Sequence, residues 1–186
     1  QKYFFLTCLT NNTLAAAAAE YIYKYNHFKT GAILYDKDEP YSLSLKYYFT
    51  KRFTQLGGKI ISTQGFTHND FEILGQIRKL KMLKSKPDFI YLVAEPTSIP
   101  KIIKSLRISG INTLVVGGDS YNSKFILETA GQYTGDVMFA THVVSYDYQS
   151  NPLRYHIQQY QQMRKFFESH KSYYNSAPTC VFSALN

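Results

Sequence analysis

The residues of this chain that could do chemistry stand directly after short apolar runs. Asp36, Asp38, Glu39 and Tyr41 follow Gly31-Ala32-Ile33-Leu34-Tyr35, and Thr67, His68 and Asn69 follow a run that begins at Lys59. Glu95, Thr97 and Ser98 follow Asp88-Phe89-Ile90-Tyr91-Leu92-Val93. Gly117, Gly118, Asp119, Ser120 and Tyr121 follow Thr113-Leu114-Val115-Val116. His142, Ser145, Tyr146 and Asp147 follow Asp136-Val137-Met138-Phe139-Ala140. Carboxylates, hydroxyls and aromatic rings are groups that hold a small polar ligand. A carboxylate in a half-buried cleft suits an amine, because charge-assisted hydrogen bonds are the strong ones.

Each of these residues also has a plainer role. Thr67 and Ser98 read as helix caps, and Asp36 and Asp38 as solvated turn residues. His68 and His142 read as loop histidines, because neither has an i, i+4 partner of the kind a metal site uses. Asp119, after two glycines, fits a turn. A binding role is favoured for it, because glycine lets a backbone approach a ligand closely. No catalytic residue, metal or cofactor is expected. The chain contains no Gly-x-Ser-x-Gly elbow, no Gly-x-x-x-x-Gly-Lys phosphate loop and no Gly-x-Gly-x-x-Gly after a strand.

What must position these groups is an alternation of short strands with amphipathic helices. Residues 14–25 are Ala-rich and helix-prone. Residues 41–56 place Tyr41, Leu45, Tyr48, Phe49, Phe53 and Leu56 on one helical face, with Gly57 as the stop. Phe71, Leu74, Ile77 and Leu80 mark the next face, entered through Thr67, Asn69 and Asp70. Ser98 opens a helix with Pro100 in its first turn and Gly110 past its end, and residues 124–130 form a short helix closed by Gly131. Strands are expected at 31–35, 59–63, 88–93, 113–116 and 136–140. That spacing is a βα unit, and it predicts an α/β fold: a mainly parallel β-sheet with helices on both faces. Ligands of such sheets bind beyond the carboxyl ends of the strands, where all the polar clusters fall. After residue 141 the rhythm breaks. Residues 142–152 read as irregular and 153–170 as a Gln-rich amphipathic helix with Ile157, Tyr160 and Phe167 inward. A further helix begins near Thr179, and an end at Asn186 inside that element predicts a fragment.

Composition narrows the function classes. Hydrophobic residues make up 45% of the chain, enough for a core and too many for a disordered segment. The apolar runs fall far short of the ~20 residues of a membrane span. No charged-then-apolar leader precedes Tyr3-Phe4-Phe5-Leu6, as would also hold for a processed protein or a fragment. The net charge of +8 raises nucleic acid or an anionic surface as a partner. The cations are spread, however: Lys46, Lys51 and Arg52; Arg78, Lys79, Lys81, Lys84 and Lys86; Lys101, Lys104 and Arg107. Each set falls between the apolar positions of a separate segment, the pattern of solvated helix faces, so no nucleic acid is expected. Cys8 and Cys180 read as separate half-buried thiols, with a disulfide between them left open.

The ordered series carries a resemblance. Ile33-Leu34-Tyr35-Asp36 with Tyr41 opening a helix, Phe53-Thr54-Gln55-Leu56-Gly57-Gly58 and Asn69-Asp70-Phe71 are similar to the type I periplasmic-binding-protein fold. So are Lys86-Pro87-Asp88-Phe89-Ile90, Ser109-Gly110-Ile111 and Val116-Gly117-Gly118-Asp119. Their order resembles the branched-chain amino-acid-binding group of ABC-transporter solute receptors. The resemblance implies two lobes that close on a ligand. Residues 1–141 would be the second ligand-binding lobe, 142–152 a hinge or crossover, and 153–186 a partial return into the first lobe. It implies ligand-binding roles for Tyr41, an aromatic cleft wall, and for Asp119, the acceptor of a ligand ammonium; Ser120, which flanks Asp119 after the same strand, is expected to bind ligand as well. Glu95 falls where relatives often place an aromatic cleft residue, so its charge is a departure. The implied function is the extracytoplasmic solute-binding component of an ABC transporter. It would bind an amino acid or similar amine without turnover, with a membrane permease as partner and a lipid anchor left open. The alternatives are a ligand-sensing domain of a receptor or regulator and, less favoured, a basic nucleic-acid or protein-interaction domain.

Overall fold

Runs rich in β-branched and aromatic residues form strands β1 (Thr30–Asp36), β2 (Lys59–Phe66), β3 (Phe89–Val93), β4 (Leu114–Gly117) and β5 (Val137–Phe139). In the computed structural model, which describes residues 9–67 and 70–141, the strands form one sheet in the order β2-β1-β3-β4-β5. Every pairing is parallel, so the expected sheet is present. Central β3 is buried at all five positions, which is why its sequence shows no polar alternation. Expectations for Cys8, His68, Asn69, His142, Ser145, Tyr146, Asp147 and Cys180, and for residues 142–152 and 153–186, lie outside the described residues.

Helices cover both faces, again as expected. On one face α1 (Asn11–Lys24) and α2 (Pro40–Gln55) pack Ala15, Ala19, Ile22, Leu45, Phe49 and Phe53 onto Ile33, Phe89, Tyr91 and Val116. On the other, α3 (Asp70–Lys81), α4 (Ile99–Ile108) and α5 (Lys124–Ala130) cover Ala32, Leu34, Ile90, Leu92 and Val115. Helix α2 ends in a Schellman turn: Gly58 N–H donates to Phe53 O at 2.9 Å and Gly57 N–H to Thr54 O at 3.0 Å. Gly57 takes φ +96°, a conformation that side chains resist. Among the described residues no helix is long and apolar enough to cross a membrane.

Two helical faces differ from expectation. In α3, Phe71 is 86% exposed and Leu74 43%, whereas Ile73, Ile77 and Leu80 are buried. Residues three apart drift about 60° per step around a 3.6-residue helix, so a run of four such positions cannot all face inward. In α2, Tyr48 lies outside and Ser42 is fully buried. Ser98 precedes α4 with helical backbone (φ −88°, ψ −30°) and makes no side-chain cap bond; a capping side chain needs extended backbone there. The Glu95 carbonyl accepts instead, from Ser98 N–H at 3.0 Å and Ile99 N–H at 3.2 Å. Nor does Asp36 sit in solvent. It is fully buried, and its Oδ1 accepts the Asp38 N–H at 3.0 Å.

The cations also divide. Lys79, Lys81, Lys84, Lys86, Lys101 and Lys104 are exposed, as read from the sequence. Arg107 is not a solvated cation. Its guanidinium donates to the carbonyls of Ile111, Thr113, Gly135 and Asp136 at 2.9, 2.9, 2.8 and 3.3 Å. It thereby ties the entries of β4 and β5 together at the amino edge of the sheet. A planar guanidinium presents five donors in a fixed fork and can serve several carbonyls at once.

Candidate ligand site

The strand order places a topological switch between β1 and β3. Helix α2, which follows β1, lies on one face, and α4, which follows β3, on the other. Their first turns lie beyond the carboxyl ends of these strands, the usual binding place in such sheets. Tyr41 reaches this edge as the second residue of α2, directly after Pro40, whose ring suits the start of a helix. Asp119 reaches it by opening a 3-10 turn, Asp119–Tyr121, immediately beyond β4. Glu95 stands just past the end of β3, the strand that pairs with β4.

Two of these residues touch. The Tyr41 hydroxyl donates to Asp119 Oδ1 and accepts the Ser120 N–H at 3.4 Å. The structure therefore brings Tyr41, Asp119 and Ser120 into one hydrogen-bonded cluster, although Tyr41 and Asp119 are 78 residues apart. Glu95 stays partly exposed on the neighbouring strand end, where its carboxylate accepts from the Thr97 hydroxyl at 3.4 Å. Gly118 has a different use from the one read in the sequence. A Cβ there would lie 2.7 Å from the Tyr41 hydroxyl oxygen and 2.7 Å from Leu45 Cδ1. The missing side chain makes room for the chain's own tyrosine.

Burial, and next the hydrogen bond to Asp119, pushes the Tyr41 hydroxyl's pKa well above that of an ordinary tyrosine. Tyr41 therefore stays a neutral donor, and it orients the carboxylate without cancelling its charge. Beneath lies Tyr91, fully buried and stacked on Phe49 with ring centroids 3.8 Å apart. Burial first, and after it the nearby Asp119 carboxylate, raises its hydroxyl's pKa well above that of an ordinary tyrosine. Tyr121 closes the cluster by donating to Leu92 O at 2.9 Å. The sequence reading missed Ser42 and Tyr91. A tyrosine inside an otherwise apolar strand was the available signal, because its polar tip must end somewhere.

Thr67, at the end of β2, donates to Glu72 Oε2 through its N–H at 3.0 Å and its hydroxyl at 2.6 Å. Lys37 Nζ lies 2.7 Å from the other oxygen, Glu72 Oε1. These bonds clamp α3 to the carboxyl edge. Among the described residues no group of three or more His, Cys, Asp or Glu could hold a metal ion. An apolar cavity of about 270 Å³ lies elsewhere, between α1 and strands β4 and β5, against Tyr21, Val116 and Met138. It does not include the Tyr41–Asp119 cluster.

Comparison with known proteins agrees with this architecture. A family model described as periplasmic binding protein matches residues 1–184. The leucine-binding protein LivK of Thermotoga maritima superposes with a TM-score of 0.75 and 25% identity, over 96% of this chain and 47% of that one. The branched-chain amino-acid transporter substrate-binding protein LivJ of Streptococcus pneumoniae, solved with isoleucine, gives 0.74 and 20%, over 100% and 49%. A solute-binding protein of an ABC transporter from Rhodopseudomonas palustris, solved with benzoate, gives 0.70 and 20%, over 96% and 45%. The chain thus spans about half the length of these relatives. No curated protein matches it. With its parallel five-stranded sheet as one lobe of the type I fold, this chain belongs to the periplasmic binding protein family.

Proposed function

We propose that this chain is one ligand-binding lobe of an extracytoplasmic solute-binding protein that serves an ABC-transporter permease. The complete protein carries a second lobe and closes on a small amine-bearing ligand, an amino acid, without converting it. The observation that carries this reading is Asp119: a carboxylate at the carboxyl edge, oriented by the Tyr41 hydroxyl. Glu95 on the adjacent strand end adds negative potential. The names of similar structures include both amino-acid and benzoate binders. Two carboxylates at neighbouring strand ends attract an ammonium and repel a simple anion, which favours the amino acid over the aromatic acid.

The experiment is calorimetric titration of the complete protein and its Asp119→Ala variant with the standard L-amino acids. Removing one member of a desolvated charge pair costs about 2–5 kcal/mol of binding. Undiminished affinity for every bound amino acid, in a variant with unchanged melting temperature, would reduce Asp119 to a turn residue.

A further inference from the structure

The geometry around Gly118 separates two kinds of contribution at this site. Tyr41 reaches from the first turn of α2 to the end of β4. Its hydroxyl occupies the space that a side chain at position 118 would fill. It is held from two sides, donating to Asp119 Oδ1 and accepting from Ser120 N–H. Three hydroxyls at or near this edge, Ser42, Tyr91 and Ser120, are buried without a hydrogen-bond partner in the protein. Ser42 and Tyr91 are fully buried. Such groups destabilise the fold they sit in, and in folded proteins they call for a reason, often functional.

We propose that Tyr41 is the positioning residue of this site: its hydroxyl sets the orientation of the Asp119 carboxylate, and selectivity for an amine over an anion depends on it. A carboxylate already held in one orientation loses less freedom when it captures an ammonium. A carboxylate has about four lone-pair positions, and the tyrosine donor takes one of them. Tyr41 thus acts through Asp119, beyond the aromatic wall that its side chain offers. This inference rests on the proposed amino-acid function, and the experiment below separates the two.

The complete protein, Tyr41→Phe and Gly118→Ala are titrated with each standard L-amino acid and with benzoate. Loss of a hydrogen bond to a charged group predicts about tenfold weaker amino-acid binding in Tyr41→Phe, with the amino-acid-to-benzoate ratio falling by a similar factor. Gly118→Ala, which displaces the hydroxyl but keeps it, should lower the ratio in the same direction. A merely structural tyrosine would weaken both ligands alike. Amino-acid binding with an unchanged ratio in both variants overturns the positioning role and leaves the function standing. Wild-type protein that binds no amino acid overturns the function and this inference with it. A measurement without ligand checks the contact itself, by NMR of the tyrosine ring carbons at neutral pH. Asp119→Asn should shift the Cζ resonance of Tyr41, whose hydroxyl donates to Asp119 Oδ1. If every tyrosine Cζ resonance is the same in the two proteins, the contact does not exist and the proposal falls.

Discussion

Replacing Arg107 by alanine should destabilise the sheet from the edge opposite the ligand site. Its guanidinium serves four carbonyls, and those of Ile111 and Thr113 are the less solvent-exposed pair. Water can replace the donor at Gly135 and Asp136, so the loss is dominated by the inner two. A partly buried acceptor left without its charged donor costs on the order of 1–2 kcal/mol. The variant should therefore lose about 2–4 kcal/mol, a large fraction of an ordinary domain's stability. Arg107→Lys keeps the charge but not the fork, because an ammonium on a flexible stem cannot reach both pairs of carbonyls together. It should lose more than half as much. The assay is urea unfolding followed by circular dichroism. With a slope near 2 kcal/mol per molar, the midpoint of Arg107→Ala should fall by roughly 1–2 M. If Arg107→Lys unfolds within about 0.5 kcal/mol of the wild type, the range of neutral surface changes, the charge alone suffices. The clamp argument would then be wrong.

Phe49 is fully buried, its ring 3.8 Å from that of Tyr91 and 5.8 Å from that of Phe53. Phe49→Ala should cost about 3–5 kcal/mol in thermal unfolding, and a loss below about 1 kcal/mol would mean that α2 does not pack as described. The acid limb of stability should depend on Glu72, whose pKa is held down to about 2 by its bond to Lys37 first and then by the Thr67 hydroxyl and N–H. Because the folded value lies below the ordinary glutamate value near 4.3, its contribution is present above that pH and is lost as pH falls toward about 2. Glu72→Gln should flatten the pH dependence in this window, and superimposable acid profiles of the two proteins would contradict the assignment.

Local pattern carried the architecture. Apolar runs of strand length alternating with amphipathic stretches specify a parallel sheet covered on both faces, because buried strands need apolar side chains on both sides. Gly57 could be read as a helix stop because few other residues take its φ. Tyr41, Glu95, Asp119 and Ser120 could be placed at one edge because every βα connection of a parallel sheet leaves from the same end. The amino-acid sequence by itself thus determined the element order, the sheet type and the edge that bears the candidate site.

The partners at that edge were decided only by the tertiary structure. Nothing in local spacing pairs Tyr41 with Asp119, or shows that Gly118 is small for the sake of a tyrosine from another connection. The same holds for Arg107, which has the local pattern of a surface cation and the three-dimensional role of a carbonyl clamp. For α3, a three-residue repeat pointed to Phe71 and Leu74, but the packed face runs through Ile73, Ile77 and Leu80. The physical reason is common to all of these. Periodicity is a property of one element and can be read along the chain. A hydrogen bond or a steric vacancy between elements depends on strand order and register, which bring together residues that the sequence keeps far apart.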